Sequence, residues 1–170
     1  VLDDGYKDQA VEKLGDHKPS GPYRGGKYSV YEGGTRTPFI ASWKGKILPG
    51  VSDEMVCTID IAASFAALTG TPIQENEFPD SFDVSESLLG KAGAKGRDHL
   101  IQQDNGSVGK FGYRAGQWKL VSLGSKTQKL ELFDLSKDPS ENTDVIKDNP
   151  EIAEQMKERL AKYIADGRSR

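Results

Sequence analysis

Cysteine is nearly absent: Cys57 stands alone, so no disulfide can close within the chain and the redox compartment is left open. It sits in the apolar run Val56-Cys57-Thr58-Ile59, which suits a small buried hydrophobe better than a nucleophile. Neither charge dominates, with 23 basic against 26 acidic residues and a formal net charge of −3. That balance excludes the strongly basic surface of a nucleic-acid binder. No apolar run reaches the length of a bilayer span, so no membrane partner is expected. There is no internal repeat; no leader segment is visible, and a truncated start could not show one.

Glycine is plentiful, with 19 residues, and is used most densely between Gly21 and Ile40. Two Gly-Gly pairs, Gly25-Gly26 and Gly33-Gly34, flank Lys27 and Glu32. Lacking a Cβ, such residues let backbone pass close to a ligand or through positive φ. A lysine held between them can present a compact charge with three donors to an oxyanion. From spacing alone, a solvated lysine in a surface loop is the simpler account. Thr37 to Trp43 reads as a buried strand, and Lys44 to Gly50 as a turn punctuated by Pro49-Gly50.

Upstream, Asp8 to Leu14 reads as a short helix ended by Gly15. Asp3-Asp4-Gly5 reads as a turn, and His17 as an exposed loop residue. Asp60 to Thr69 is a helix, begun by Asp60 and ended by Gly70 and Pro72, with Ile61, Phe65 and Leu68 on one apolar face. A loop over 71–81, a helical turn from Val84 to Leu89 and a glycine- and lysine-rich connection from Lys91 to Arg97 follow. The runs His99–Gln103, Gly109–Ala115, Trp118–Leu123 and Lys129–Leu135 then read as antiparallel strands, with turns at Asn105-Gly106, Ala115-Gly116 and Gly124-Ser125. Asn149-Pro150 opens a final helix. Its stripe of Ile152, Met156, Leu160 and Ile164, extended by Tyr163, should pack on the sheet, and Gly167 ends it.

Arg24-Gly25-Gly26-Lys27, followed by Glu32-Gly33-Gly34-Thr35-Arg36-Thr37-Pro38, resembles the R-G-x-K…E-G-G-x-R-x-P segment of the sulfatases. The likeness continues through Trp43-Lys44-Gly45-Lys46-Ile47 and the helix before Gly70. It returns at Glu131-Leu132-Phe133-Asp134-Leu135 with Asp138-Pro139 and Glu141. These blocks stand in the family's order over nearly the whole chain. The resemblance implies an α+β fold: the C-terminal subdomain of a sulfatase, a small antiparallel sheet with a packed C-terminal helix, plus a remnant strand and helix of the large α/β domain. It divides the chain into 1–90, the remnant, and 91–170, the subdomain.

By the same resemblance, Lys27 contacts the substrate sulfate in catalysis. His17, close to it in sequence, borders the substrate pocket, and the loop with Gln102, Gln103 and Asn105 reaches the pocket mouth. The substrate is a sulfate ester, aryl or carbohydrate. The family's nucleophile is a formylglycine made within C/S-x-P-x-R, and its metal is calcium. Cys57 has neither Pro nor Arg at the required offsets, and no metal ligand is assigned here. Asp104-Asn105-Gly106 looks like the family's metal pair but follows the lysine block instead of preceding it, and Asn-Gly between strands is a hairpin signal. The chain, which opens on Val1, therefore reads as the C-terminal part of a sulfatase. It is expected to be inactive alone and to expose, over its first 70 or so residues, a surface meant for the N-terminal domain. A periplasmic or secreted location is implied. A related phosphatase or phosphonate hydrolase, a non-catalytic sulfated-glycan binder and a purely structural domain remain alternatives.

Overall fold

The structure is a computed structural model that describes residues 13, 15–104, 109–124 and 129–170. The expected helix over 8–14 and the Asn105-Gly106 and Ser125 turn positions lie outside the described residues. The described elements are α1 (Glu32–Thr35), α2 (Asp60–Thr69), α3 (Ser85–Leu88), β1 (His99–Gln103), β2 (Phe111–Ala115), β3 (Trp118–Ser122), β4 (Leu130–Asp134) and α4 (Pro150–Asp166). The four strands form one sheet in the order β1-β2-β3-β4. The chain gathers into two compact units, one of residues 1–38 with 101–160, the other of 39–100 with 161–170. Each unit draws on stretches from both sides of residue 90.

In the first unit, β2 and β3 meet at a two-residue turn. Ala115 faces Trp118, and Gly116 takes the positive φ of 56° needed at the first central position. Register pairs Tyr113 with Leu120 and Leu120 with Leu132, and all three are fully buried on one face of the sheet. Successive side chains alternate between faces. The opposite face therefore carries Gly112, Arg114, Lys119, Val121, Glu131 and Phe133. Val30, Val121, Phe133 and Leu135 make an apolar cluster there, with Tyr31 and Leu123 against it. Ala153, Met156 and Leu160 supply the buried stripe of α4, while Ile164, expected on it, is half exposed.

In the second unit, α2 begins and ends where its sequence indicates. Gly70, at φ 68°, closes it: its N–H reaches Ala67 and that of Thr71 reaches Ala66, a Schellman arrangement. The buried face is not the expected one. Ala63 and Ser64 are buried, whereas Phe65 is 57% exposed and Leu68 is exposed as well. Asp60 is more than a helix-start residue. Its carboxylate is fully buried and accepts the N–H groups of Cys57 (2.8 Å) and Phe82 (3.0 Å) and the guanidinium of Arg97 (2.9 Å). Ser81 accepts the N–H of Ala63 and Ser64 that of Val84, both at 3.0 Å, so hydroxyls rather than apolar side chains tie the helix to the following loop.

The expected strand from Thr37 to Trp43 does not form, and its residues are exposed, Ile40 at 90%. An apolar run becomes a strand only when another strand offers it hydrogen-bond partners, and no described segment pairs with this one.

Candidate functional site

The glycine-rich stretch folds back on itself. The N–H of Ser29 reaches the carbonyl of Gly26 (3.0 Å), that of Gly33 reaches Arg24 (2.7 Å), and that of Gly34 reaches Tyr31 (2.9 Å). Ser20 adds a hydroxyl bond to the Gly33 carbonyl at 3.1 Å. Gly33 and Gly34 belong to the one-turn helix α1, which sequence reading takes for loop. Their role is contact. A Cβ on Gly33 would stand 2.6 Å from the Arg24 carbonyl oxygen and 2.7 Å from that of Gly25. On Gly34 it would meet the carbonyls of Gly26 and Ser29. The backbone flanking Lys27 thus lies directly on the two glycines. Tyr28, next to Lys27, holds a φ of 71°, in the left-handed region that few non-glycine residues occupy. Lys27 itself is exposed, its ammonium 4.9 Å from the centre of the Tyr28 ring.

Beneath the loop lies a buried charge cluster whose Lys119, Glu141 and Arg114 sequence reasoning missed. Lys119, in the middle of β3, has no solvent exposure; its ammonium is 2.8 Å from Glu32 Oε1 and 3.0 Å from Glu141 Oε1. The Glu32 contact is a hydrogen bond. The Glu141 contact is ionic, since Oε1 lies out of line for one. Glu32 also receives Arg114 at 3.1 Å and, more distantly, Arg36 at 3.8 Å. Glu141, itself at a positive φ of 54°, accepts the Glu32 N–H on Oε2 (2.6 Å) and Arg24 on its backbone carbonyl (3.0 Å). The Arg24 guanidinium carbon stands over the Tyr31 ring, 3.9 Å from its centre, and the Tyr31 hydroxyl donates to Glu131 at 2.6 Å. Three residues of the loop, Arg24, Tyr31 and Glu32, are therefore fastened to side chains of β2, β3, β4 and the segment at Glu141. Gly112 completes the seat, since a side chain there would press on the Val30 carbonyl and on Lys119.

Burial pushes the Glu141 carboxyl above the usual value, and the nearby Lys119 charge offsets this only in part. Burial also pushes Glu131 up, but the Tyr31 hydroxyl, Lys129 and Arg24 together outweigh it and hold that carboxyl below the ordinary range. Desolvation and the bond to Glu131 raise the Tyr31 phenol. The only hint of Lys119 in the sequence is a lysine inside a run of otherwise buried strand residues. The alternation that identifies a strand would have sent that lysine to solvent.

His17 is exposed in the loop before Gly21, and Gln103 is exposed at the end of β1. Neighbouring Gln102 instead turns its amide to the Thr35 hydroxyl at 2.8 Å, which ties β1 to α1. Two open clefts, one lined by Gln74, Glu75, Asn76 and Arg168 and the other by residues between Thr58 and Ser81, include none of Lys27, His17 and Gln103. Asp104 brackets the β1–β2 connection through the N–H of Lys110 at 3.3 Å. Among the described residues, no three His, Cys, Asp or Glu side chains gather to hold a metal ion. Their donors do not fit a calcium site, and Cys57 lacks the setting of a formylglycine precursor. What the site can do is present the exposed Lys27 ammonium on a loop anchored to the sheet.

A four-stranded sheet with a terminal helix thus carries the glycine-seated lysine loop on one face. Residues 25–166 match the family described as N-sulphoglucosamine sulphohydrolase, C-terminal, and the chain belongs to it. It is 41% identical to an N-acetylgalactosamine-6-O-sulfatase of Bacteroides thetaiotaomicron over 174 aligned residues, 94% of this chain and 33% of that protein. It is 34% identical to human arylsulfatase A, over 82% of this chain and 32% of that enzyme. A solved Bacteroides thetaiotaomicron structure, described under the metabolism of multiple glycosaminoglycans, superposes with a TM-score of 0.84 at 40% identity, covering 95% of this chain and 36% of that one. The chain spans about a third of the length of these relatives.

Proposed function

We propose that this chain is the C-terminal portion of an enzyme that hydrolyses sulfate esters of carbohydrates, and that Lys27 contacts the substrate sulfate. The observation that carries the reading is the Lys27 loop. Its backbone lies against Gly33 and Gly34 with no room for a side chain between, and is anchored by Arg24, Tyr31 and Glu32, while the Lys27 side chain stays exposed. A cation held in this way stabilises charge developing on a sulfate oxygen without reorganising at the moment of reaction. His17 and Gln103 are proposed to border the pocket. The nucleophile and the calcium site belong, in this reading, to the region of the intact enzyme outside the chain, so the chain alone is inactive. A periplasmic or secreted location accompanies the proposal; no helix among the described residues is long and apolar enough to cross a membrane.

The relative named for 6-O-sulfated N-acetylgalactosamine favours carbohydrate sulfates over aryl sulfates. In the intact enzyme, Lys27→Ala should lower kcat/KM on a sulfated hexosamine by about 10²–10³-fold, the scale for losing one oriented electrostatic contact. A change of less than about twofold would remove Lys27 from the site. Gln103→Ala with unchanged kcat/KM would remove Gln103 in the same way.

A further inference from the structure

We propose that Lys119 is the positioning residue for Lys27, acting through Glu32 and the two glycines that follow it; this deepens the reading of Lys27 as the sulfate contact and rests on it. The path is continuous. Lys119 is held rigidly in β3 by pairing on both sides, with β2 at Arg114 and with β4 at Phe133. Its buried ammonium bonds Glu32 at 2.8 Å, at the first residue of α1. Glu32 starts the turn that places Gly33 and Gly34 under the carbonyls of Arg24, Gly25, Gly26 and Ser29, the residues on either side of Lys27. Glu141 closes the circuit. It faces the same ammonium at 3.0 Å, accepts the Glu32 N–H and holds Arg24 by its carbonyl.

Two features set this apart from a generic buried ion pair. First, Glu32 and Glu141 converge on one lysine, with Arg114 as the second close cation on Glu32. Removing Lys119 leaves two carboxylates facing each other under the loop, and they would push the start of α1 off the sheet. Second, α1 is joined directly to the loop: the Gly33 N–H bonds the Arg24 carbonyl at 2.7 Å, and Gly33 and Gly34 lie so near the carbonyls of Arg24, Gly25, Gly26 and Ser29 that no side chain fits between them. Displacement of α1 pulls on the backbone around Lys27 through these contacts. Misplacing a catalytic group by an ångström is enough to cost a large part of its effect.

The test is a double-mutant cycle in the intact enzyme, with kcat and KM measured for a sulfated hexosamine and folding followed by Tm. Lys119→Met is expected to lower kcat/KM by about tenfold when Lys27 is present, mostly in kcat, and by less than about twofold in the Lys27→Ala background. An effect on folding alone would lower Tm and lower activity by the same factor in both backgrounds, and that result overturns the proposal while leaving Lys27 as the sulfate contact. If Lys27→Ala itself is without effect, the reading of the site fails instead. Should Lys119→Met not fold, Glu141→Gln carries the same cycle, since it keeps an acceptor for the Glu32 N–H. A loss of about threefold that vanishes with Lys27→Ala is then expected, and unchanged activity with Lys27 present overturns the proposal.

Discussion

Glu141 shows how one side chain couples the chemistry of a loop to the pH of the solution. Burial raises its carboxyl above the usual value, so the folded chain binds this proton more tightly than the unfolded chain. Its contribution to stability is present below the unfolded value and is lost as pH rises through the folded one. Glu131 works in the opposite sense. Its lowered carboxyl contributes stability above the ordinary carboxylate value, which is lost as pH falls through the folded one. The advantage of the wild-type chain over Glu141→Gln, read as the urea midpoint, is therefore expected to shrink as pH rises from the usual glutamate value. An advantage that grows over that range would place the attraction of Lys119 ahead of desolvation. Residue chemistry of this kind was barely legible in the sequence. Lys27 and Glu32 stood out because glycines surround them, whereas Lys119 and Glu141 meet Glu32 from 87 and 109 positions away, and no local spacing encodes such a meeting.

Among the elements, α1 is the instructive case. Glu-Gly-Gly-Thr is a poor helix former, since each glycine costs about 1 kcal/mol relative to alanine. The turn forms because Glu32 is fastened from below and because glycine alone leaves room for the carbonyls above. Gly34→Ala, which helix propensity alone would favour, is expected to destabilise the chain by about 1–3 kcal/mol, as overpacking does. Gly26→Ala, where a Cβ meets nothing within 4 Å, should stay within about 0.5 kcal/mol. Urea midpoints of the two variants check this, and equal values would undo the contact argument. By contrast, the bounds of α2, the four strands and α4 were readable within a residue or two, because alternation, Asn-Pro and terminal glycines act locally. Which face of α2 is buried was not readable. Ser64, Asp60 and Ser81 win burial through hydrogen bonds with distant backbone, and a pattern of hydrophobicity cannot register that.

At the scale of the whole molecule, the second unit leaves Phe39, Ile40, Trp43, Leu48, Val51, Ile59, Phe65 and Phe78 exposed. Scattered apolar residues on a surface are ordinary, but we propose that so many between residues 39 and 78 mark surface that needs a cover. The proposed cover is the remainder of the enzyme, which would also give Thr37 to Trp43 the strand partner it lacks here. The chain alone is accordingly expected to self-associate, and replacing Ile40, Leu48 and Val51 with serine should make it monomeric without changing its circular dichroism. Sedimentation velocity decides: a wild-type chain that stays monomeric at high concentration argues that this surface needs no cover.

By itself the sequence determined the family, the order of the elements and the lysine loop as the place to look. Each is set by short-range physics: glycine where backbone must approach backbone, alternation where one side of a strand is buried, proline and glycine at helix ends. Tertiary structure alone decided what the loop rests on, that a lysine in mid-strand is buried between two glutamates, and that an apolar run meets no strand partner among the described residues. Those outcomes depend on which distant groups arrive together to satisfy a charge or a hydrogen bond once water is excluded, and the energy of that meeting has no counterpart in neighbouring residues.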